Sequence, residues 1–251
     1  VELDANGVAS SIVVNAPVTT DDGAGTANGG DISLLADDDV TFSADGDVAS
    51  ANGIVTVTAD IAGGNNGGVI TMANGALIDA GSGTIALTAD GDITLGGLIT
   101  TNAGGTAVVV TSTSGGLVDG GAAHIDITAN SGTVVIDAKT GVGHAGNIDT
   151  TIATLDLDNT TSGNIDINET DALAINQLDQ DGTGTVNVDA GGTITVVAGQ
   201  SGVTATSGSV ELDANGGSSN IVVNDGVTTT GGAVSLLADG NVTINDPNLD
   251  R

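Results

Sequence analysis

The chain has 251 residues, with Lys+Arg 2 against Asp+Glu 32 for a formal net charge of −30, 41 glycines, no cysteine, and Phe42 as its single aromatic residue. Lys139 and Arg251 cannot build the cationic face that nucleic acid or an anionic membrane requires. The missing aromatics exclude a stacked-ring sugar platform, and the missing thiols exclude cysteine redox chemistry and thiolate metal sites. No apolar run approaches the roughly 20 residues of a membrane-spanning helix.

Disorder does not follow from this acidity. The net charge is only about 0.12 per residue, mean hydropathy is +0.25, and Val, Ile and Leu recur throughout. Gly, Thr, Asn and Asp are poor helix formers and no stretch holds a 3.6-residue apolar period, so the composition reads as all-β.

In chain order, one short pattern keeps returning: alternating apolar residues, then A-[DN], often followed by G-[DN] and a second alternating run. It appears as VELDAN at 1, ISLLAD at 32 (then DVTF), VTVTAD at 55 and IALTAD at 85 (then DITL). It continues as VVVTST at 108, IDITAN at 125, IDTTIA at 148, IDINET at 165, VNVDAG at 186, VELDAN at 210 and VSLLAD at 234. Successive starts differ by 17 to 31 residues, the range of a solenoid repeat. Alternation marks strands with one buried face, and ADG, ANG and NGG supply the turn residues between them. An isolated unit cannot bury its apolar row, whereas stacked units cover one another. The expected fold is a parallel β-helix of about eleven coils, roughly 50 Å long at ~4.8 Å per coil. DDGAGTA (21–27) and GGNNGG (63–68) are expected to bulge as loops where the repeat is longest. Steps this short fit neither an immunoglobulin-like tandem nor a propeller.

A longer period lies above the short one. VELDANGVASSIVVNAPVTT (1–20) matches VELDANGGSSNIVVNDGVTT (210–229) at an offset of 209, and GGDISLLADDDVTF (29–42) matches GGAVSLLADGNVTI (231–244) at 202. The chain therefore reads as one solenoid segment: a superrepeat over 1–209 and the start of another copy over 210–251. It begins at Val1 without a signal-peptide pattern, as expected of a piece of a longer chain.

GTIALTADGDITL (83–95) and GGDISLLADDDVTFSADGDV (29–48) resemble the repeat region of filamentous-haemagglutinin-like exoproteins and other giant repetitive bacterial adhesins and surface-fibre proteins. The resemblance implies a right-handed β-helical shaft, secretion, and a place at the bacterial cell surface. It carries no catalytic residue, and the amino-terminal secretion domain of that family is not visible here.

Aspartate is the residue with most chemistry to test. Asp37, Asp38 and Asp39 form a run, and Asp45/Asp47, Asp90/Asp92 and Asp179/Asp181 are close pairs. Stacked coils bring such carboxylates about 5 Å apart, where they repel unless hydrated, protonated or bridged. The bland expectation is hydrated turn residues; the functional one is weak Ca²⁺ bridging by these nine positions. The Ca²⁺-roll signature G-G-x-G-x-D is absent. His124 and His144, twenty residues apart, could fall on neighbouring coils and with Asp126 and Asp149 nominally hold a metal, though both read more simply as turn residues. Thr56/Thr58 and Thr193/Thr195 raise ice binding, but threonine is also a common strand residue. No nucleophile elbow or phosphate loop is present, and sequons at Asn159, Asn168 and Asn241 are expected by chance.

The expectation from sequence is thus a non-enzymatic extracellular shaft that requires no cofactor. It self-associates end to end, meets other cell-surface or matrix components, and neither binds nucleic acid nor inserts in a membrane. The alternative is an ice- or glycan-binding solenoid, followed by a polysaccharide-degrading enzyme.

Overall fold

The computed structural model describes residues 1–20, 29–60, 67–121 and 124–245; most of the two expected bulging loops lies outside them. Among the described residues there is no helix, and every strand pairing is parallel. The first coil holds β1 (Glu2–Ala5), β2 (Ile12–Val14) and β3 (Val18–Thr19). The next three hold β4 (Ile32–Ala36), β5 (Val40–Phe42), β6 (Val48–Ala49); β7 (Val55–Ala59), β8 (Ile70–Met72), β9 (Leu77–Asp79); and β10 (Ile85–Ala89), β11 (Ile93–Leu95), β12 (Gly97–Ile99). Further along, corners straighten and strands run on: β13 (Val108–Ser112), β14 (Leu117–Asp119), β15 (Ile127–Ala138), β16 (Val142–His144), β17 (Ile148–Asn159), β18 (Ile165–Glu169) and β19 (Leu173–Gln180). Regular coils resume with β20 (Val186–Ala190), β21 (Ile194–Val196), β22 (Gly202–Ala205), β23 (Val210–Ala214), β24 (Ile221–Val223), β25 (Val227–Thr229), β26 (Val234–Ala238) and β27 (Val242–Ile244).

The alternation in the sequence becomes alternation of burial, because successive side chains of a strand point to opposite faces. ISLLA, VTVTA and IALTA each bury their first, third and fifth residues. Across coils these residues stand directly opposite one another. Leu3, Leu34, Val57, Leu87, Val110, Ile136, Leu157, Leu178, Val203 and Val227 form one continuous column along the first row. Ile12, Val40, Ile70, Ile93, Leu117, Val142, Ile165, Val186, Val210 and Val234 form a second. Phe42 and Met72 are paired in the same core and almost fully buried.

The first row takes nine inter-coil steps from β1 to β25, giving about nine turns and a shaft of roughly 43 Å at ~4.8 Å per step. This corrects the expected eleven coils, and the reason is geometric. The motif does not stay on one face. Its copies at 1, 32, 55, 85 and 108 lie in the first row, those at 125 and 148 in the third, and those at 165, 186, 210 and 234 in the second. Each 17-residue step therefore covers two-thirds of a turn, whereas the steps of 21 to 31 residues cover a whole one. For the same reason VELDA at 210 (β23) sits one row on from VELDA at 1 (β1), after eight turns and one strand. The phase changes first in the fifth coil, where the copy at 125 falls on the third row, and again in the seventh. There β18 pairs with β16 through Ile165 and with the first half of β17 through Ile167–Glu169, and β19 spans two rows.

Close stacking forces glycine at one corner. A Cβ on Gly184 would run into the Gly163 carbonyl, one on Gly208 into Gly184, and one on Gly232 into Gly208. Gly30, by contrast, faces open space. Gly208→Ala is expected to lower the urea midpoint clearly, because backbone must move apart. Gly30→Ala should stay within about 0.5 kcal/mol of the parent; equal effects of the two in the same melt would refute this packing account.

Candidate functional site

The corners hold most of the polar chemistry, and there the aspartates act first as acceptors for the backbone of the adjoining coil. The residue just before a strand is Asp or Asn in many coils, and its side chain accepts the N–H of its counterpart one turn later. Asp31 accepts from Ile54 at 2.8 Å, Asp39 from Val69 at 2.9 Å, Asp47 from Leu77 at 3.0 Å and Asp92 from Gly116 at 2.9 Å. Asn164 and Asn220 do the same for Thr185 and Asn241. This is the physical content of the [DN] that opens DVTF and DITL: each such corner leaves one backbone donor without a strand partner, and a short polar side chain reaches it.

The nine candidate Ca²⁺ positions fall out accordingly. Asp39, Asp47 and Asp92 hold those N–H groups. Asp37 accepts Ala9 N–H at 2.9 Å and Asp38 faces the Ser11 hydroxyl at 3.5 Å. Asp90 accepts the hydroxyls of Thr113 and Ser114, both at 2.8 Å, and these bonds (Ser114's foremost) hold its carboxyl below the usual carboxylate range. Asp179 accepts from Gln177 at 2.8 Å and Thr204 at 2.5 Å, while Asp45 and Asp181 are exposed. Among the described residues no three His or carboxylate side chains converge on a point that could hold a metal ion.

The histidines lie on different faces. His144 is in β16, on the second row, whereas His124 precedes β15 on the third. His124 Nε2 lies 2.6 Å from the Gly96 carbonyl, which fixes the ring proton on Nε2. The same nitrogen is 3.2 Å from Asp126 Oδ1.

Ionisable and amide groups turned inward concentrate between residues 126 and 180, where the rows change phase. Asp126 and Glu169 are essentially unexposed. Asp126 Oδ2 accepts Asp149 N–H at 2.8 Å, yet among the described residues Oδ1 has no hydrogen-bond partner. Glu169 is better supplied: Oε2 accepts the Thr150 hydroxyl at 2.7 Å and Ile152 N–H at 3.1 Å, and Oε1 accepts Asp171 N–H at 3.1 Å. Burial pushes each carboxyl up to about 7. Asn159 and Gln180, stacked in register and fully buried, bond to each other at 3.0 Å and cap the Gly163 carbonyl. The sequon at Asn159 is therefore closed to a glycan.

On the outside of the same segment Asp137, Asp158 and Asp179 stand opposite one another on consecutive coils. Burial, then Asp181, Asp179 and Asp137, raise Asp158 above the usual carboxylate range, with Lys139 opposing. Asp156 is raised by burial and then by Asp137 and Asp179. Beside the phase change runs an open groove of about 490 Å³, floored by Ile152, Leu173 and small residues, with Asp171 the one carboxylate in its lining.

Sequence reading missed Glu169, Asn159 and Gln180, although a signal existed. The last inward position of the motif is Ala in ISLLA, VTVTA, IALTA and both VELDA copies; IDINE places Glu there, in register with Ala190 and Ala214. Asn159 and Gln180 likewise replace the Ala of Ala138 and Ala205 in their column. In register, Thr58, Thr88 and Thr111 occupy three consecutive coils, and so do Thr41, Thr71 and Thr94.

If the corner aspartates serve as hydrogen-bond acceptors, charge is dispensable and the acceptor is not. Asp39→Ala should cost about 1 kcal/mol, and Asp39→Asn should recover most of it in the same denaturant titration. Equal losses would point to the charge itself. The solenoid repeat is plain in the structure; no family model, no curated protein and no solved structure matches this chain.

Proposed function

We propose that this chain is a shaft segment of a secreted bacterial adhesin or surface fibre, a spacer whose work is mechanical. The observation that supports it most is the continuity of the core columns: ten aliphatic residues in register over nine steps, with the polar groups of the corners committed to holding coils together. Shear or bending must break many such bonds at once. The net charge of −30 suits an extracellular rod that stays apart from its neighbours until an end contact, a cell-surface or matrix component, or a divalent cation such as Ca²⁺ bridging exposed carboxylates brings it to them. Self-association is proposed to run end to end, because a parallel solenoid without caps presents unpaired backbone groups on its terminal strands.

The second reading, an ice- or glycan-binding solenoid, draws on the two threonine columns, whose hydroxyls repeat at the coil spacing of ~4.8 Å. Each column is one residue wide and the two stand on different rows, which favours the shaft.

Electron microscopy of the purified segment, with sedimentation over a wide concentration range, is expected to show rods that lengthen with concentration at constant width. A strictly monomeric species at high concentration would overturn end-to-end association. Inhibition of ice recrystallisation that is lost in Thr58→Asp/Thr88→Asp/Thr111→Asp would favour the second reading.

A further inference from the structure

The first half of β17 is held from both sides by buried carboxyl groups. From the fifth coil Asp126 takes Asp149 N–H, and from the seventh Glu169 takes the Thr150 hydroxyl and Ile152 N–H. The Asp126 side of the clasp lies on the long β15–β17 pairing, whereas the Glu169 side lies in the coil step where the ladder is thinnest. Between β16 and β18 a single registered pair, Val142 with Ile165, carries the second row, and the third row is handed on in the same coil. Three coils earlier Asp47 holds Leu77 N–H from the same corner but stays partly exposed, whereas Asp126 and Glu169 are buried, so here the bonds between coils rest on carboxyl groups withdrawn from water.

The two carboxyls are not equivalent. Glu169 has three donors around it, and the charged group that faces it is Asp171. Asp126 faces Asp119 from β14, Asp149 from β17, and His124. Among the described residues its Oδ1 meets no donor of good geometry, because the nearby His124 Nε2–H is directed at the Gly96 carbonyl. A carboxylate at Asp126 is thus a buried charge with one oxygen unsolvated and two acids nearby, a costly state. A neutral carboxyl there removes the buried charge and the repulsion, the larger of the costs.

We propose that the Asp126–β17–Glu169 clasp is a proton-operated joint: closed at mildly acidic pH, it opens locally above neutral pH while the coils on either side stay stacked. The sign follows from linkage. Both groups take up protons more readily in the folded shaft than in an open one, since each lies near 7 against ordinary values of 3.8 and 4.5. The stability they contribute is complete below about pH 4 and is lost as pH rises through about 7. Opening to a state of ordinary acidity is then favoured by on the order of a hundredfold per group between pH 5 and pH 8.5.

Hydrogen exchange read by mass spectrometry at pH 5 and pH 8.5, corrected for the intrinsic exchange rate, tests this on the whole chain. Peptides covering 126–176 are expected to lose at least tenfold in protection at pH 8.5, while those covering 85–112 and 186–214 change far less. Glu169→Gln and Asp126→Asn, made separately, should each shrink the difference, since each removes one titrating group while keeping a side-chain acceptor. Unchanged protection in 126–176, a loss spread evenly over all coils, or a full pH response in both variants would overturn the proposal.

Discussion

Everything in this molecule hangs on one coil lying in register on the next. A single coil has an apolar row and no second layer to cover it, so its burial is supplied by neighbours above and below, and the parallel backbone ladder fixes which residues meet. Once the register is set, columns of like residues follow: aliphatic inside, Thr or Asp outside, glycine where carbonyls of one coil press on the next. A one-residue slip would turn every inward Leu or Val outward, so the register is defended at each corner by side chains that reach across coils.

That defence gives the acidity of the chain a structural meaning. Asp31, Asp39, Asp47 and Asp92 complete the backbone bonding of the following coil, and Asn164 and Asn220 do the same without charge. Much of the aspartate content is therefore tied to corner geometry. The exception is the stretch from Asp126 to Gln180, where carboxyl and amide groups turn inward and the rows shift by one place. The regular coils and the proposed acid-dependent clasp thus rest on the same carboxyl groups, outward and hydrated at most corners and inward at this seam.

Much of the fold could be read before any coordinates. Period-two alternation in ISLLA and IALTA marked the strands, ADG and NGG marked the corners, and steps near 23 residues marked a solenoid. What could not be read was the angle between successive motif copies. IDITAN at 125 looks like IALTAD at 85, but a copy's row depends on how much chain the intervening corners consume, which the motif does not encode; hence eleven copies and nine turns. The nine aspartates singled out as candidate cation ligands were visible as clusters, yet Asp37, Asp38, Asp39, Asp47, Asp90, Asp92 and Asp179 each have a partner 23 to 30 residues away, on the adjoining coil. Glu169 was legible only as a departure from alanine, and its consequence depended on burial.

The register itself is open to direct measurement, since the chain has no cysteine of its own and accepts spin labels at chosen sites. Leu35, Thr58, Asp158, Thr204 and Thr228 lie on one outward column of the first row. Dipolar distances between labelled pairs Thr58/Asp158, Thr58/Thr204 and Leu35/Thr228, separated by four, six and eight coil steps, should increase linearly by about 4.8 Å per step, near 19, 29 and 38 Å. Distances that fail to scale with the number of steps would contradict the stacked, in-register shaft from which everything else here is argued.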